Sequence, residues 1–395
     1  MVNVLNARTE LSRMARESVS ALSFLRETVH KPDGRKRLNL RWTKADAAKL
    51  AGLTIQQLDR FVSEGAVPAP QEEQSPKIYT LEFINALRKH VGRMPHRGQG
   101  TDPAIIAIQN FKGGVGKSTV SVHLAQYFSQ KGYRVLVVDC DSQASLTTLF
   151  GYIPDFEIKP EHTVLPYLID ADGFDDIREV IRPTYWPGLD LLPACLGLYD
   201  AEYQVAAQLR NGPEPLSRLR EYLTDVADDY DIVIIDPPPA LGMVSMSVMR
   251  ASNALIIPAP ASTLDFASTS QFLTMAANTL DELASHGLED VDYHWVKLLP
   301  TKIDRRQAAV NLILDKIMAP AFGDWMTKKP ILSSAEYGTA AVRLQSVYEH
   351  AADENSETRQ RCLNNLSEVF DELDAVVRSV WDQQIEAIAP RRAAG

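Results

Sequence analysis

One short stretch constrains the fold of this chain more than any other. Residues 105–125 read IIAIQNFKGGVGKSTVSVHLA, an apolar run followed by a glycine-rich loop and a helix-forming segment. Glycines in such a loop let backbone N–H groups face an anion, and the first turn of the next helix adds the positive end of its dipole. The stretch therefore predicts a strand, a phosphate-binding loop and a helix in direct succession.

The loop departs from the usual pattern G-x-x-x-x-G-K-[ST] at its first position. Phe111 stands where the first glycine is expected, and a second lysine, Lys112, follows it. In the usual pattern the lysine reaches the β- and γ-phosphates and the next hydroxyl holds Mg²⁺, so these roles fall to Lys117 and Ser118. The expected nucleotide-binding residues are Lys112, Gly113, Gly114, Val115, Gly116, Lys117, Ser118 and Thr119.

Two later apolar runs end in aspartate. LVVDCDSQ places Asp139 and Asp141 two residues apart, which is the same side of an extended strand. IVIIDPPP ends at Asp236, where an acid organises Mg²⁺ and its waters in phosphoryl-transfer enzymes. A strand-end aspartate can also cap a helix, but the phosphate loop upstream favours a catalytic role.

The composition is that of a globular protein, because 45% of the 395 residues are hydrophobic and 23% are charged. This length predicts two or three domains. No apolar run approaches the roughly 18 residues of a membrane span, and the N-terminal segment lacks the features of a signal peptide. The three cysteines lie far apart, which is typical of thiols in a reducing compartment. We therefore expect a cytoplasmic protein.

The pattern of apolar residues changes along the chain. An amphipathic helix is expected over 8–29, a small helical module follows, and 92–103 has the composition of a linker. Beyond it, short apolar runs alternate with helices up to a last helix at about 356–388. This alternation predicts an α/β fold with a mostly parallel sheet covered by helices on both faces. The expected domains are residues 1–30, 31–100 and 101–395.

The segment KADAAKLAGLTIQQLDRFVSEG has the spacing of a DNA-binding helix-turn-helix. Thr43 is expected to cap the first helix, Ala48 to lie where the helices touch, and Gly52 to form the turn. Leu58 and Phe61 are expected to be buried. The residues expected to face DNA are Thr54, Gln56, Gln57 and Arg60, together with Arg35, Lys36, Arg37 and Arg41 just before the segment.

Charge is distributed unevenly between the two ends of the chain. The first 100 residues hold 17 Lys and Arg against 10 Asp and Glu, a net charge of +7; because the whole chain carries −10, the rest carries −17. A basic front end suits DNA binding, although solvated surface charge alone would give the same balance. The sequence after the helix-turn-helix resembles the wing and next helix of a MerR-like winged fold.

The motif KGGVGKST resembles the deviant Walker A motif of the ParA/MinD group of P-loop ATPases. DCDSQASLT is similar to the second acidic motif of that group. The stretches LDLLPACLGLYDAEYQ and LDFASTSQF are similar to large plasmid-partition ParA proteins with an N-terminal helix-turn-helix, in particular RepA of repABC replicons. The resemblance covers roughly residues 40–350 and implies the P-loop NTPase fold.

The resemblance implies roles that the residues alone do not. Lys112 would reach the partner's nucleotide in an ATP-sandwich homodimer, although it could instead neutralise the nucleotide of its own subunit. Asp141 would orient the attacking water, and Asp139 would lie beside the metal. The implied activity is ATP hydrolysis that drives DNA partition, stimulated by a ParB/RepB-like centromere-binding protein. Nonspecific DNA binding, operon autorepression and association with the nucleoid are implied too, without a membrane.

Several alternatives stay open at this point. TKID at 301–304 is similar to the N-K-x-D that reads guanine, but the resemblance favours adenine. The protein could be a nucleotide-switched repressor without significant turnover, or a positioning ATPase for a protein cargo. A MinD-like membrane role needs a basic amphipathic C-terminal helix, whereas EAIAPRRAAG follows an acidic one. A reductase like the nitrogenase iron protein needs cluster ligands, and neither Cys195 nor Cys362 lies in a ligand motif.

Overall fold

The computed structural model describes residues 6–29, 40–69, 78–288, 291–349 and 357–388. It divides into two compact units, Met1–Leu38 and Asn39–Gly395. The described part of the first unit is essentially one helix, α1 (Ala7–Val29), which confirms the helix expected there. Leu11, Met14 and Val19 of this helix are exposed.

The second unit begins with a small helical module that has its own apolar core. Its helices are α2 (Lys44–Leu50), α3 (Ile55–Ser63) and α4 (Leu81–His90). As expected, the Thr43 hydroxyl caps α2 by accepting from the Asp46 N–H, and Gly52 turns the chain with φ 68°. The buried residues of this core are Ala47, Ala48, Ala51, Leu58, Phe61, Val67, Tyr79, Phe83, Ile84 and Leu87.

A seven-stranded sheet forms the centre of the second unit. Its strands are β1 (Ala104–Ile108), β2 (Val135–Asp139), β3 (Arg182–Pro183), β4 (Leu189–Leu192), β5 (Ile232–Asp236), β6 (Ala254–Pro260) and β7 (Trp295–Thr301). They lie in the order β3-β4-β2-β5-β1-β6-β7. Neighbouring strands are parallel except β3, which pairs antiparallel with β4. The expected fold class is confirmed.

Helices pack on the sheet, whose strands β1, β2, β5 and β6 are buried along their whole length. The helices are α5 (Lys117–Lys131), α6 (Ser145–Leu149), α7 (Leu165–Ile169), α8 (Asp200–Gln208), α9 (Arg218–Asp225), α10 (Met243–Ala251), α11 (Thr263–Ser285), α12 (Ala308–Ile313), α13 (Ala319–Phe322), α14 (Ala335–Val342) and α15 (Glu357–Ile388). Strands buried on both faces read as continuous apolar runs, which is why most of them could be expected from sequence. Within the described ranges, no helix has the length and apolar character that crossing a membrane would need.

The strand order positions the functional side chains. Strands β2 and β5 are parallel neighbours in register, so their last residues, Asp139 and Asp236, stand side by side. Strand β1 pairs with the other side of β5, and the glycine-rich loop leaves β1 at the same edge of the sheet. Three carboxyl ends therefore meet where a parallel sheet usually binds its ligand.

The stretch expected to be a linker, 92–103, is packed against the sheet-containing part of the chain. Arg97 donates to the Ala227 carbonyl at 2.8 Å and to Asp228 at 2.9 Å. Trp381 of α15 donates to the Asp102 carbonyl at 3.0 Å, and a side chain at position 98 would collide with Ile385. Gly98, which looks flexible in the sequence, therefore permits close packing here.

Candidate nucleotide-binding site

The glycine-rich loop joins β1 to α5 in the geometry of an anion cradle. Gly114 and Gly116 have φ of 76° and 104°, a left-handed conformation that a residue with a Cβ atom rarely adopts. No heavy atom lies within 4 Å of where a Cβ would stand on either residue. Their conformation, rather than crowding, therefore requires glycine. A glycine-rich loop that leads into the N-terminus of a helix is a typical binding site for phosphate.

Lys117, the first residue of α5, is buried with only 7% of its surface exposed. Burial lowers the pKa of its ammonium group, while the charges of Asp236 and Asp141 oppose that change. The two carboxylates therefore hold a positive charge in a partly dry site. A cation so placed can bind phosphate oxygens strongly, since little water screens it.

Asp236 is fully buried at the end of β5. Its Oδ1 accepts a hydrogen bond of 3.0 Å from Ser121. Its Oδ2 has no hydrogen-bond partner of good geometry within the described residues, although the Ser118 hydroxyl lies beside the carboxyl group. An orphaned carboxylate oxygen next to a hydroxyl fits the needs of Mg²⁺, which binds through one or two protein oxygens, waters and phosphates.

Asp139 is also fully buried, but its oxygens are already engaged. It accepts hydrogen bonds from the N–H and the hydroxyl of Thr147, both at 2.8 Å, and from the Asp141 N–H at 3.2 Å. Burial, and to a smaller extent the charge of Asp236, raise the pKa of Asp139 to about 8. The hydrogen bonds from Thr147 lower this pKa but do not offset the increase. These contacts shape the loop that carries Asp141, a role that the sequence did not reveal.

Asp141 is 9% exposed and lies on the loop after β2. Its Oδ1 accepts from the Gln143 N–H at 2.9 Å. Burial raises the pKa of Asp141, while that hydrogen bond and the charge of Lys117 favour the ionised form. The structure thus places Asp141 and Asp236 near the same lysine, Lys117.

Lys112, the additional lysine, forms an ion pair with Asp265 in the first turn of α11. Its backbone N–H donates to Asn110 at 3.1 Å. Burial raises the pKa of Asp265, but hydrogen bonds from Lys112 and Ser262 outweigh it and the net pKa is lowered. Within one chain, Lys112 is therefore held by a carboxylate of its own subunit, and about a third of its side chain is exposed.

Two residues at the end of β7 brace the loop from the other side. The Thr301 hydroxyl donates to the Val115 carbonyl at 2.9 Å, and Lys302 Nζ donates to the Gly114 carbonyl at 2.5 Å. Asp304 accepts from the Arg306 guanidinium and from Gln307. The sequence associates the TKID segment with the base of the nucleotide. In the structure its first two residues contact the phosphate loop, through a strand-end contact that no spacing rule identifies.

A cavity of about 300 Å³ opens beside the loop. Its walls come from α5, the end of β7, the segment before α14 and the buried face of α15. The lining residues are Val115, Gly116, Thr119, Val120, His123, Thr301, Lys302, Ile331, Leu332, Ser333, Ser334, Tyr337, Leu366 and Phe370. The mixture of apolar walls with a few hydroxyl groups is typical of a site for a small organic group.

The residues expected to contact DNA are only partly described. Thr54 and Gln57 are exposed, and each hydrogen-bonds the other's backbone N–H in a capping box at the start of α3. Gln56 and Arg60 lie exposed on the same helix, and Arg60 pairs with Glu64 at 3.6 Å. Arg41 is exposed. The other basic residues, Arg35, Lys36 and Arg37, lie outside the described residues.

The fold and the site define a P-loop nucleoside triphosphatase. A family model described as an AAA domain matches residues 103–288. The chain is 32% identical to Protein SopA of Escherichia coli (strain K12) over 378 residues, or 93% of this chain and 96% of that protein. It is 32% identical over 357 residues to a protein assigned as replication protein A in Rhizobium rhizogenes, covering 85% and 86% of the two chains.

Solved structures share this fold. A structure described as a partition protein superposes with a TM-score of 0.66 at 22% identity, covering 94% of this chain and 99% of that one. Cobyrinic acid a,c-diamide synthase from Mycobacterium smegmatis, crystallised with an ATP analogue and magnesium, gives 0.50 at 28% identity over 61% and 91% of the chains. The chain belongs to the ParA/MinD-type family of P-loop ATPases. This membership implies ATP hydrolysis.

The pKa of Asp236 gives the site a testable pH dependence. Burial raises this pKa to about 6, although a hydrogen bond from the Ser118 hydroxyl and the charge of Lys117 lower it. The carboxyl group therefore loses its charge as the pH falls through that value. We expect the gain in ATP affinity that Mg²⁺ provides to shrink about three- to fourfold between pH 7.5 and pH 5.5. Calorimetric titrations with and without Mg²⁺ would measure it. In Asp236→Asn the gain in ATP affinity from Mg²⁺ should be small at both pH values. If this gain still depended on pH as it does in the original protein, Asp236 would not be the group that holds the metal.

Proposed function

We propose that this protein is an ATP-dependent DNA partition ATPase of a plasmid or secondary replicon. The observation that carries the proposal is the phosphate loop with its additional lysine, Lys112, partly exposed and held by a single ion pair. A partly exposed lysine on a loop that already has Lys117 is available to serve a second nucleotide. Similarity to SopA along nearly the whole chain supports the same reading.

The nucleotide is ATP with Mg²⁺. The loop N–H groups and Lys117 bind the phosphates, Ser118 and Asp236 hold the metal, and Asp139 lies beside it. When bound, Mg²⁺ neutralises charge that develops on the phosphate oxygens during transfer. The nucleoside occupies the cavity between α5 and α14. Adenine is favoured over guanine because the Asp304 carboxylate, the group that a guanine reader needs free, is engaged by Arg306.

The active form is a homodimer with two ATP molecules between the subunits. Lys112 exchanges its contact with Asp265 for the phosphates of the partner's nucleotide, which carry more negative charge than one carboxylate. There it stabilises the charge of the transition state, as an arginine finger does. Asp141 orients the attacking water. A ParB/RepB-like centromere-binding protein stimulates a slow basal hydrolysis.

DNA is bound in two ways. Closure of the dimer brings basic groups together, so that phosphates of any DNA sequence are neutralised and the protein associates with the nucleoid. The module of α2 to α4 forms a winged helix-turn-helix that recognises an operator through Gln56 and Arg60 and represses the partition operon. The 1–30 segment contributes to dimerisation.

A second candidate is a repressor in which ATP switches conformation without significant turnover. The observation that favours it is the well-capped helix α3, which presents Gln56 and Arg60 on a rigid support. Phosphate release by the dimer on DNA decides between the two, because only the partition ATPase should turn over when its centromere-binding partner is added.

Two DNA probes would test the proposed DNA activities on the full chain. We expect a random duplex to be bound with ATP but not ADP, and the affinity to fall steeply with salt because binding releases counterions. A duplex from upstream of the protein's own gene should be preferred by roughly tenfold or more. Changing Gln56 and Arg60 together to alanine should remove the preference only, since base contacts carry sequence discrimination at about 1–3 kcal/mol each.

Substitutions in α3 test the proposed role of this helix more cleanly than deleting the chain before about Gly100 would. The segment 92–103 covers part of α15, so deleting it would expose Trp381 and disturb the ATPase itself. Ser63→Ala, which changes an exposed, uncharged side chain of the same helix, is a matched control and should leave both probes unaffected. Operator preference that survives the loss of Gln56 and Arg60 would refute the role of α3.

A further inference from the structure

A buried histidine borders the cavity, and the proposed chemistry does not use it. His123 lies on α5 and is 4% exposed. Its Nδ1 is 2.7 Å from the Thr119 carbonyl oxygen, and its Nε2 is 3.0 Å from the Val347 backbone nitrogen. The carbonyl can only accept and the N–H can only donate, so the imidazole is neutral with its proton on Nδ1. Burial lowers the pKa of His123 to about 4, in agreement.

The two partners of the ring lie on different segments, and of the two only Thr119 lines the cavity. Thr119 lies in the first turn of α5, directly after the phosphate loop, and lines the cavity. Val347 lies beyond α14. The rings of Tyr337 and Tyr348 pack against the imidazole with centroid distances of 5.5 and 5.7 Å. His123 therefore cross-links the helix of the phosphate loop to the segment that carries Tyr337.

This cross-link holds Tyr337 against the cavity. Val347 is fully buried, and its N–H would lose its acceptor if Nε2 were removed. A buried donor without an acceptor is costly, so the segment would shift to find water or another oxygen. Because the ring of Tyr337 packs edge-on against the imidazole and also lines the cavity, such a shift would move one cavity wall.

We propose that His123 is a positioning residue that sets the width of the nucleoside cavity by holding Tyr337 in place. It governs the part of ATP affinity that comes from the nucleoside and leaves the part that comes from the phosphates unchanged. This rests on the proposed function in so far as the cavity holds the nucleoside of ATP. It adds a residue that acts on one portion of the ligand through the neighbouring side chain of Tyr337.

Two substitutions separate the two hydrogen bonds of the ring. The amide nitrogen of asparagine can take the place of Nδ1, so His123→Asn keeps the bond to Thr119 and loses the acceptor for Val347. The longer glutamine can bring an oxygen near the position of Nε2, so His123→Gln keeps that acceptor. Calorimetry on the full chain would compare the Kd of Mg²⁺-ATP with that of Mg²⁺-tripolyphosphate, which has no nucleoside.

We expect His123→Asn to weaken ATP binding roughly tenfold, because the displaced cavity wall packs less well on the nucleoside, with tripolyphosphate affinity within about twofold of the original. His123→Gln should recover most of the ATP affinity. Tyr337→Ala should resemble His123→Asn, and the double variant should be no weaker than either one, because residues that act through one another are not additive.

The possible results separate two hypotheses: that His123 positions Tyr337, and that the cavity binds the nucleoside. Equal losses for ATP and tripolyphosphate, or additive losses in the double variant, would overturn the positioning role while the nucleoside site stands. If the unaltered protein binds tripolyphosphate as tightly as ATP, the cavity is not a nucleoside site, and the role of His123 fails with it. Unfolding temperatures without ligand show whether each variant is folded; should His123→Asn not fold, Tyr337→Ala and His123→Gln still carry the comparison.

Discussion

Replacing Lys117 by alanine is expected to raise the Kd for ATP by about a hundredfold. The change removes a charge-assisted contact to the phosphates, worth roughly 2–3 kcal/mol. It also leaves Asp236 and Asp141 without the cation that faces them, so the empty site would repel the triphosphate. Equilibrium titration with a fluorescent ATP analogue would measure the loss.

Lys112→Ala is the matched comparison, because it removes a lysine from the same loop. If Lys112 serves the partner's nucleotide, ATP affinity should change less than about threefold, while hydrolysis stimulated by DNA and the centromere-binding protein should fall to the basal rate. Asp265→Asn removes the same ion pair but keeps the lysine, and should retain stimulation. Normal stimulated hydrolysis by Lys112→Ala would rule out action across the dimer.

Asp141→Ala is expected to reduce hydrolysis by about a hundredfold or more, the usual range for loss of a group that positions or activates water, while ATP still binds. The ATP-bound dimer should then persist on DNA. Its lifetime can be measured as the slow release of protein from immobilised DNA after free ATP is washed away.

A control for this experiment lies two residues further along. Gln143 gives only its backbone N–H to Asp141, and its side chain is exposed. Gln143→Ala should therefore hydrolyse ATP and leave DNA at the original rates. Release of Asp141→Ala at the original rate as well would show that another group orients the water.

Much of this site was predictable from the sequence because its parts are local. A loop with glycine at 114 and 116 and lysine at 117 can be recognised without knowing the rest of the fold. The strands that end at Asp139 and Asp236 are buried on both faces, so their apolar runs are continuous and their ends are sharp. Neighbouring parallel strands then bring these two residues together.

The parts that were not predictable depend on contacts between distant segments. Lys302 reaches the loop from the end of β7, and Asp265 meets Lys112 from the first turn of α11. Neither pair has a fixed spacing in sequence. The edge strand β3 and its neighbour β4 were missed as well, because both are short and β3 is partly exposed. These contacts and strands depend on tertiary packing and have no local sequence pattern that would predict them.

The packed segment at 92–103 has a consequence for how DNA would be read. A flexible tether would let each α3 find its half-site independently, whatever the distance between the half-sites. Here Arg88 of α4 lies against Gly132 at the end of α5, and Pro95 adjoins the same residue. The module that carries α3, the helix proposed to read DNA, is therefore attached firmly to its ATPase. In a dimer, two such modules would contact DNA at a fixed distance and rotation from one another. The helical phase of the half-sites, repeating about every 10 base pairs, would then report how far the two ATPases have closed.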